Sequence, residues 1–292
     1  MVPEVEPAPR GTRAACRLWS PGRRVPFVET DPRDPPWPPP DFVPPDPDEP
    51  PPVELWSAVG DVPPWGTGLF LLVWAALFAL LAFRDQTGDA AAVLAWGASA
   101  TGLPPLESSW RLLASTFLHA GPAHVFFNAT SMAIFGPAVE RIFTRWGFWI
   151  VFAGGGALAS LASLLWRSSR PGAAPSLSVG ASGAIFALGG ALLVGAFRLR
   201  GRLAPGRARA LGAALIFLLA QGLVAGFTRL GTDNAAHAAG LLGGATLAAF
   251  VPLSTRLGGA RPPLAIRALG LASALALASS LALAIRSGLG LG

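Results

Sequence analysis

Residues 232–244 read TDNAAHAAGLLGG. They open an apolar stretch that runs to residue 251 and carries one histidine, His237. Gly240 and Gly244 follow at three and seven residues, with Gly243 beside them. That spacing puts the small residues on a stripe of the histidine's helix, so a second helix can approach very closely. A matching face occurs at Gly183, Ala187 and Gly190, in the apolar stretch led by SVGASGAIF at 178–186. Ser182 stands in the first turn of that stretch, between Gly180 and Gly183. A contact between Ser182 and His237 is therefore expected across the two helices.

Composition places these helices in a membrane. Over the 292 residues, 52% are hydrophobic and only 13% are charged. A soluble domain carries roughly 25% charged residues. Apolar stretches of about 20 residues recur, the length a helix needs to cross roughly 30 Å of hydrocarbon. The reading is an all-α polytopic membrane protein. All 22 basic residues are arginine, and they gather in short loops beside the apolar stretches, where they set topology. The basic balance therefore does not indicate a nucleic-acid partner. The single cysteine, Cys16, matches no metal-ligand spacing, and three histidines without nearby cysteines make a poor zinc site. No metal or cofactor is expected.

Residues 1–62 hold more than half of the 29 prolines, including PPWPPP at 35–40, and most of the acidic residues. They are expected to be a disordered, Pro-rich cytoplasmic tail. They show no charged segment leading into an apolar one, so no cleavable signal peptide is expected. Seven apolar spans follow, near 66–83, 123–140, 147–166, 181–198, 210–227, 234–251 and 265–285. We divide them into a membrane core at 63–255 and a basic loop with a seventh helix at 256–292. About 40 residues of mixed character join the first two spans. They include LESSWRLLASTFLHAG at 106–121, which is amphipathic and predicts interfacial helices.

The loop after the fourth span, FRLRGRLAPGRARA, carries five arginines. The loops after the second and sixth spans carry Arg141 and Arg145, and Arg256, Arg261 and Arg267. These loops share one side, which the arginine bias assigns to the cytoplasm. Arg167 and Arg170 fall on the other side and run against the bias. The amino terminus is then cytoplasmic, and the second, fourth and sixth spans enter from outside. Ser182, His237, and His124 with Asn128 all lie in the first two turns of those spans. At 1.5 Å per residue they share a depth of roughly 3–10 Å on one side of the membrane. Ionisable groups at such depth are expensive and mark functional sites.

The chemistry of that group is nucleophilic. A serine hydroxyl needs a base, and a histidine of near-neutral pKa can supply it. His124 and Asn128 are four apart on one helix face, and could donate to a developing oxyanion together with the Ser182 amide at a helix start. Asp233, four residues before His237, either orients the imidazole or caps the helix with Thr232. The cap is the favoured reading, which leaves a dyad.

GASG at 180–183, NAAHAAGLLGG at 234–244, HAGPAHVFFN at 119–128, WR at 110–111 and GPAVER at 136–141 occur in an order that resembles the rhomboid intramembrane serine proteases. The resemblance covers about 85–285. It implies a six-helix core, here with an added carboxy-terminal helix. It implies Ser182 as nucleophile, His237 as general base, and His124 and Asn128 as oxyanion stabilisers. It places His119, Trp110 and Arg111 in a loop within the outer leaflet, and Glu140 and Arg141 as a structural pair at the inner end of the second span. Gly240 and Gly244 match the glycines that pack the sixth span on the fourth. Phe186 stands where the family often has a tyrosine stacked on the histidine, and it keeps the ring without the hydroxyl.

The implied activity is endoproteolysis of transmembrane protein substrates within the lipid bilayer. Substrates would reach the site laterally beside the fifth span, under a cap formed by FTRLGTDN. The implied location is a bacterial inner (cell) membrane, with the site open to the outer side. The competing reading is a catalytically inactive rhomboid-like protein that binds membrane clients. Such proteins typically lack the serine or the histidine, and this chain has both.

Overall fold

The computed structural model describes residues 62–170, 175–203, 206–228 and 233–291. The Pro-rich tail with Cys16, Thr232, and parts of the loops RSSRPGAAPSLSVG and FTRLGTDN lie outside the described residues. The seven expected spans appear as α1 (Trp65–Phe83), α4 (Pro122–Ile142), α5 (Thr144–Ser168), α6 (Ser182–Arg198), α7 (Arg207–Thr228), α8 (Asn234–Phe250) and α9 (Leu264–Gly288). Between α1 and α4 come the short helices α2 (Ala90–Ala95) and α3 (Arg111–Ala114). The fold is an all-α polytopic membrane bundle. Among the described residues α1, α5 and α9 are individually long and apolar enough to cross a membrane. The site-bearing α4, α6 and α8 are shorter or more polar.

Helix α6 is the centre, with 12 of its 17 residues buried. A helix that is apolar all round belongs inside a bundle. It packs most extensively on α8, then on α5, α4 and α7. The α6–α8 seam is built on glycine. A Cβ at Gly240 would fall on the carbonyl oxygen of Gly183, and one at Gly244 on the backbone of Ala187. A Cβ at Gly190 would fall on the Leu241 carbonyl. Helix α5 adds its own glycines, with Gly155 against Ala187 and Gly156 against Ala184. Helix α9 packs on α5 and on the segment that carries α2 and α3.

The inner end of α4 holds the start of α1. The first amides of a helix have no intrahelical acceptor. Here the Glu140 carboxylate, 3% exposed, takes them. Oε2 accepts from the Gly66 amide at 3.0 Å, and Oε1 from the Thr67 amide and Thr67 Oγ1, each at 2.7 Å. Arg141 Nε donates to the Val62 carbonyl at 3.2 Å. Both residues of the expected pair thus bind the flank of α1. Glu140→Ala would leave three buried donors without their acceptor. We expect a loss of about 3 kcal/mol in denaturant unfolding of the detergent-solubilised protein.

The segment between α1 and α4 holds helices, as expected, but short ones: over 106–121 it forms turns, the single turn α3 and a 3-10 turn at Ser115–Phe117. Ser108 and Ser109 turn their hydroxyls back to the carbonyls of Pro104 and Leu106, and such local bonds compete with helix. Arg111 Nη1 donates to the carbonyls of Leu94 and Ala98, and its guanidinium lies 4.6 Å over the Trp110 ring. Trp110 and Arg111 therefore hold this segment together. An unforeseen antiparallel pair joins it to the loop before α6: β1 (Ser99–Ala100) and β2 (Leu177–Ser178), with Ser99 opposite Ser178. Two-residue strands are too short to leave a period-2 pattern.

Candidate active site

Ser182 is the first residue of α6 and His237 the fourth of α8. The glycine seam brings their helices together, and His237 Nε2 lies 2.8 Å from Ser182 Oγ. The histidine is 6% exposed and the serine half-buried. Phe186, one turn into α6, stacks on the imidazole with centroids 4.3 Å apart and planes 12° from parallel. The ring fixes the imidazole plane without a hydroxyl. Gly222 of α7 lies against the far side of Phe186, where a Cβ would come within 2.8 Å of the ring.

Among the described residues no acid bonds the imidazole. Among the described residues His237 Nδ1 has no hydrogen-bond partner. Asp233 turns elsewhere: Oδ1 accepts the Ala236 amide at 3.0 Å as an N-cap, and Oδ2 accepts from Ser163 Oγ. Of the two roles open to Asp233 in the sequence, the geometry has it capping α8.

The loop entering α6 carries the other donors. Gly180 has φ +122°, a left-handed value that favours glycine. A side chain there would also lie 2.6 Å from His124 Nε2 and 3.7 Å from Asn128 Nδ2. His124 and Asn128, one turn apart on α4, thus face the backbone two residues before Ser182. The Ala120 amide reaches His124 Nδ1 at 3.4 Å, so Nδ1 accepts and Nε2 bears the proton. Asn128 is 5% exposed, and its Nδ2 has no partner among the described residues. The two side chains therefore face Gly180, two residues before Ser182, and among the described residues Asn128 Nδ2 has no acceptor.

His119 does not reach this group directly. It is buried behind His124, with ring centroids 5.2 Å apart, and meets Trp74 edge-on at 5.3 Å. It lies between the helices, where burial first and the neighbouring His124 second push its pKa down to about 3, so it stays neutral. It backs His124 as a packing residue. The residues missed in the sequence are Ser163 and Glu140's partners Gly66 and Thr67. Nothing in local spacing marks them.

An all-α membrane bundle whose central helices join a serine hydroxyl to an imidazole, beside an unfilled hydrogen-bond donor, is the class these observations define. A family model described as the Rhomboid domain matches residues 106–253, just over half of the chain, and the chain belongs to the rhomboid family. It is similar to the rhomboid protease GluP of Bacillus subtilis (strain 168), 33% identical over 190 residues, 65% of this chain and 35% of that protein. YdcA of the same organism is 32% identical over 135 residues, 46% of this chain and 63% of YdcA. RHOMBOID-like protein 1 of Arabidopsis thaliana is 41% identical over 87 residues, 29% of this chain and 20% of that protein. The chain thus spans about a third of the first relative's length and under two thirds of the second's.

Proposed function

We propose that this protein is an intramembrane serine endopeptidase that cuts transmembrane protein substrates by a Ser182–His237 dyad. The observation that carries the reading is the 2.8 Å contact between His237 Nε2 and Ser182 Oγ. That distance lets the imidazole take the hydroxyl proton as Oγ attacks a scissile carbonyl. The same imidazole then gives the proton to the leaving amine, and water repeats the cycle on the acyl-enzyme. The carbonyl oxygen becomes an oxyanion beside Gly180. There His124 Nε2–H, Asn128 Nδ2–H and the Ser182 amide can receive it. The family relationship to GluP, a rhomboid protease, supports the same activity.

The arginine-rich loops assign the inner side, so the site opens to the outer face of a bacterial cell membrane. Helix α7 bounds the site through Gly222 and leaves Ile216, Phe217 and Val224 exposed, which suits lateral arrival of a substrate helix from lipid. The division into tail, core and seventh helix belongs to this reading.

The test is the purified wild-type protein in liposomes with a panel of single-span membrane proteins, beside a fluorophosphonate probe. Cleavage, with the probe mapped to Ser182, supports the reading. Absence of both overturns it and favours an inactive binder of membrane clients. Asn128→Ala removes one oxyanion donor and is expected to lower kcat by about 10–1000-fold while the protein still folds. Single-turnover cleavage beside a thermal melt measures both.

A further inference from the structure

Arg167 lies near the end of α5 on the side of the dyad, against the arginine bias that orders the other loops. Its guanidinium is spent on three partners. Nη1 donates to the Ser176 carbonyl at 2.7 Å and to Ser176 Oγ at 3.2 Å. Nη2 donates to Ser99 Oγ at 3.3 Å, and Nε to Ser163 Oγ at 3.1 Å. Ser163 is 1% exposed and donates its own hydrogen bond to Asp233 Oδ2. The other Asp233 oxygen caps α8 at Ala236.

One guanidinium therefore grips both halves of the site. The first arm holds Ser176, six residues before Ser182. From there the chain runs through β2 to Gly180, whose amide is fixed by the Ser115 carbonyl at 2.9 Å. The second arm runs through Ser163 to Asp233, whose carbonyl accepts the His237 amide at 3.1 Å. We propose that Arg167, Ser163 and Asp233 form a positioning relay that sets the approach of His237 to Ser182. The inference rests on reading those two residues as the dyad. It also gives Asp233 a role compatible with a bare imidazole Nδ1: the acid fixes the backbone that carries the base, and leaves the ring to Phe186.

The residue types suit the task. Only the planar guanidinium fork can serve Ser163, Ser176 and Ser99 together, whereas a lysine is a single compact charge. A carboxylate at Asp233 also lies at the positive end of α8. A serine at 163 can accept from Arg167 and donate to Asp233 at once, which fixes the direction of the chain.

The experiment compares Arg167→Gln, Arg167→Lys, Asp233→Asn and the double variant Arg167→Gln/Asp233→Asn of the full chain in liposomes. Asparagine caps helices as well as aspartate, so Asp233→Asn tests the charge and not the cap. A misplacement of about 1 Å is enough to cost about 100-fold in rate. Arg167→Gln is expected to lower kcat about 10–100-fold with KM within about three-fold, and Arg167→Lys to restore part of it. The double variant is expected to be no slower than Arg167→Gln, because both cut one path. Hydrogen exchange read by mass spectrometry should rise together at 176–181 and 233–237 in Arg167→Gln.

An unchanged kcat, losses that multiply in the double variant, or exchange that rises at one segment or neither would overturn the relay. Where Arg167→Gln does not fold, Ser163→Ala cuts only the arm to Asp233. It then carries the test, with kcat lowered and exchange raised at 233–237 alone. If the wild type itself neither cleaves nor labels, the protease reading fails, while the exchange arm still decides the relay.

Discussion

Ser182→Ala is expected to abolish cleavage in the reconstituted protein, with a fall of about 10⁴-fold or more in kcat, and His237→Ala to do the same. As the proposed dyad the two residues would act as a unit, so removing either would leave only the binding and oxyanion contributions. The variants differ in their effect on the fold. Ser182→Ala removes one hydroxyl from the first turn of a helix and should leave stability within about 1 kcal/mol. His237→Ala removes the ring on which Phe186 stacks, so its melting temperature should fall as well. The measurement is cleavage of a single-span substrate together with fluorophosphonate labelling and a thermal melt. Full activity of Ser182→Ala in a clean preparation would remove Ser182 from the nucleophile's role.

The second large effect belongs to the seam. Gly244→Val places a branched side chain where even a Cβ meets the backbone of Ala187. Backbone cannot rotate out of the way as a side-chain end can, so α6 and α8 have to part. Overpacking of this kind costs about 1–3 kcal/mol or more. The loss of rate should be larger than the loss of stability implies. The 2.8 Å approach of His237 to Ser182 depends on the same seam. A separation of about 1 Å there costs about 100-fold. Gly240→Ala tests this with a smaller step, since its Cβ meets the carbonyl of Gly183, next to the serine. Activity kept in Gly244→Val with an unchanged melt would show that the helices do not meet as described.

The contrast between these two predictions shows what each level of description contributes. Ser182 and His237 were legible because both are polar residues in apolar stretches, at one depth once topology is assigned. Gly240 and Gly244 were legible because a repeat of four along a helix is a local pattern. Asp233 was legible as a cap, the favoured of its two readings, because an N-cap is a local pattern. The partner of its second oxygen could not be assigned until Ser163, 70 residues away, was placed beside it. Arg167 looked like an exception to a topological bias, and in the structure its guanidinium bonds Ser163 of α5, Ser99 of β1 and Ser176 beside β2. The helices expected between the first two spans proved short within 106–121, where serines bonded their own backbone.

By itself the sequence determined an all-α membrane bundle of seven helices, the face on which the central pair meets, and the serine and histidine that could react. Those properties depend on hydrophobic length, helical period and the cost of burying polar groups, all of which act within a segment. The tertiary structure alone decided the partners of Glu140 and Arg167, the bond from Ser163 to Asp233 and the pairing of β1 with β2. Hydrogen bonds and ring contacts hold only at a few ångströms and between particular atoms. Which atoms come that close is settled when distant segments pack, and no local pattern in the chain records it.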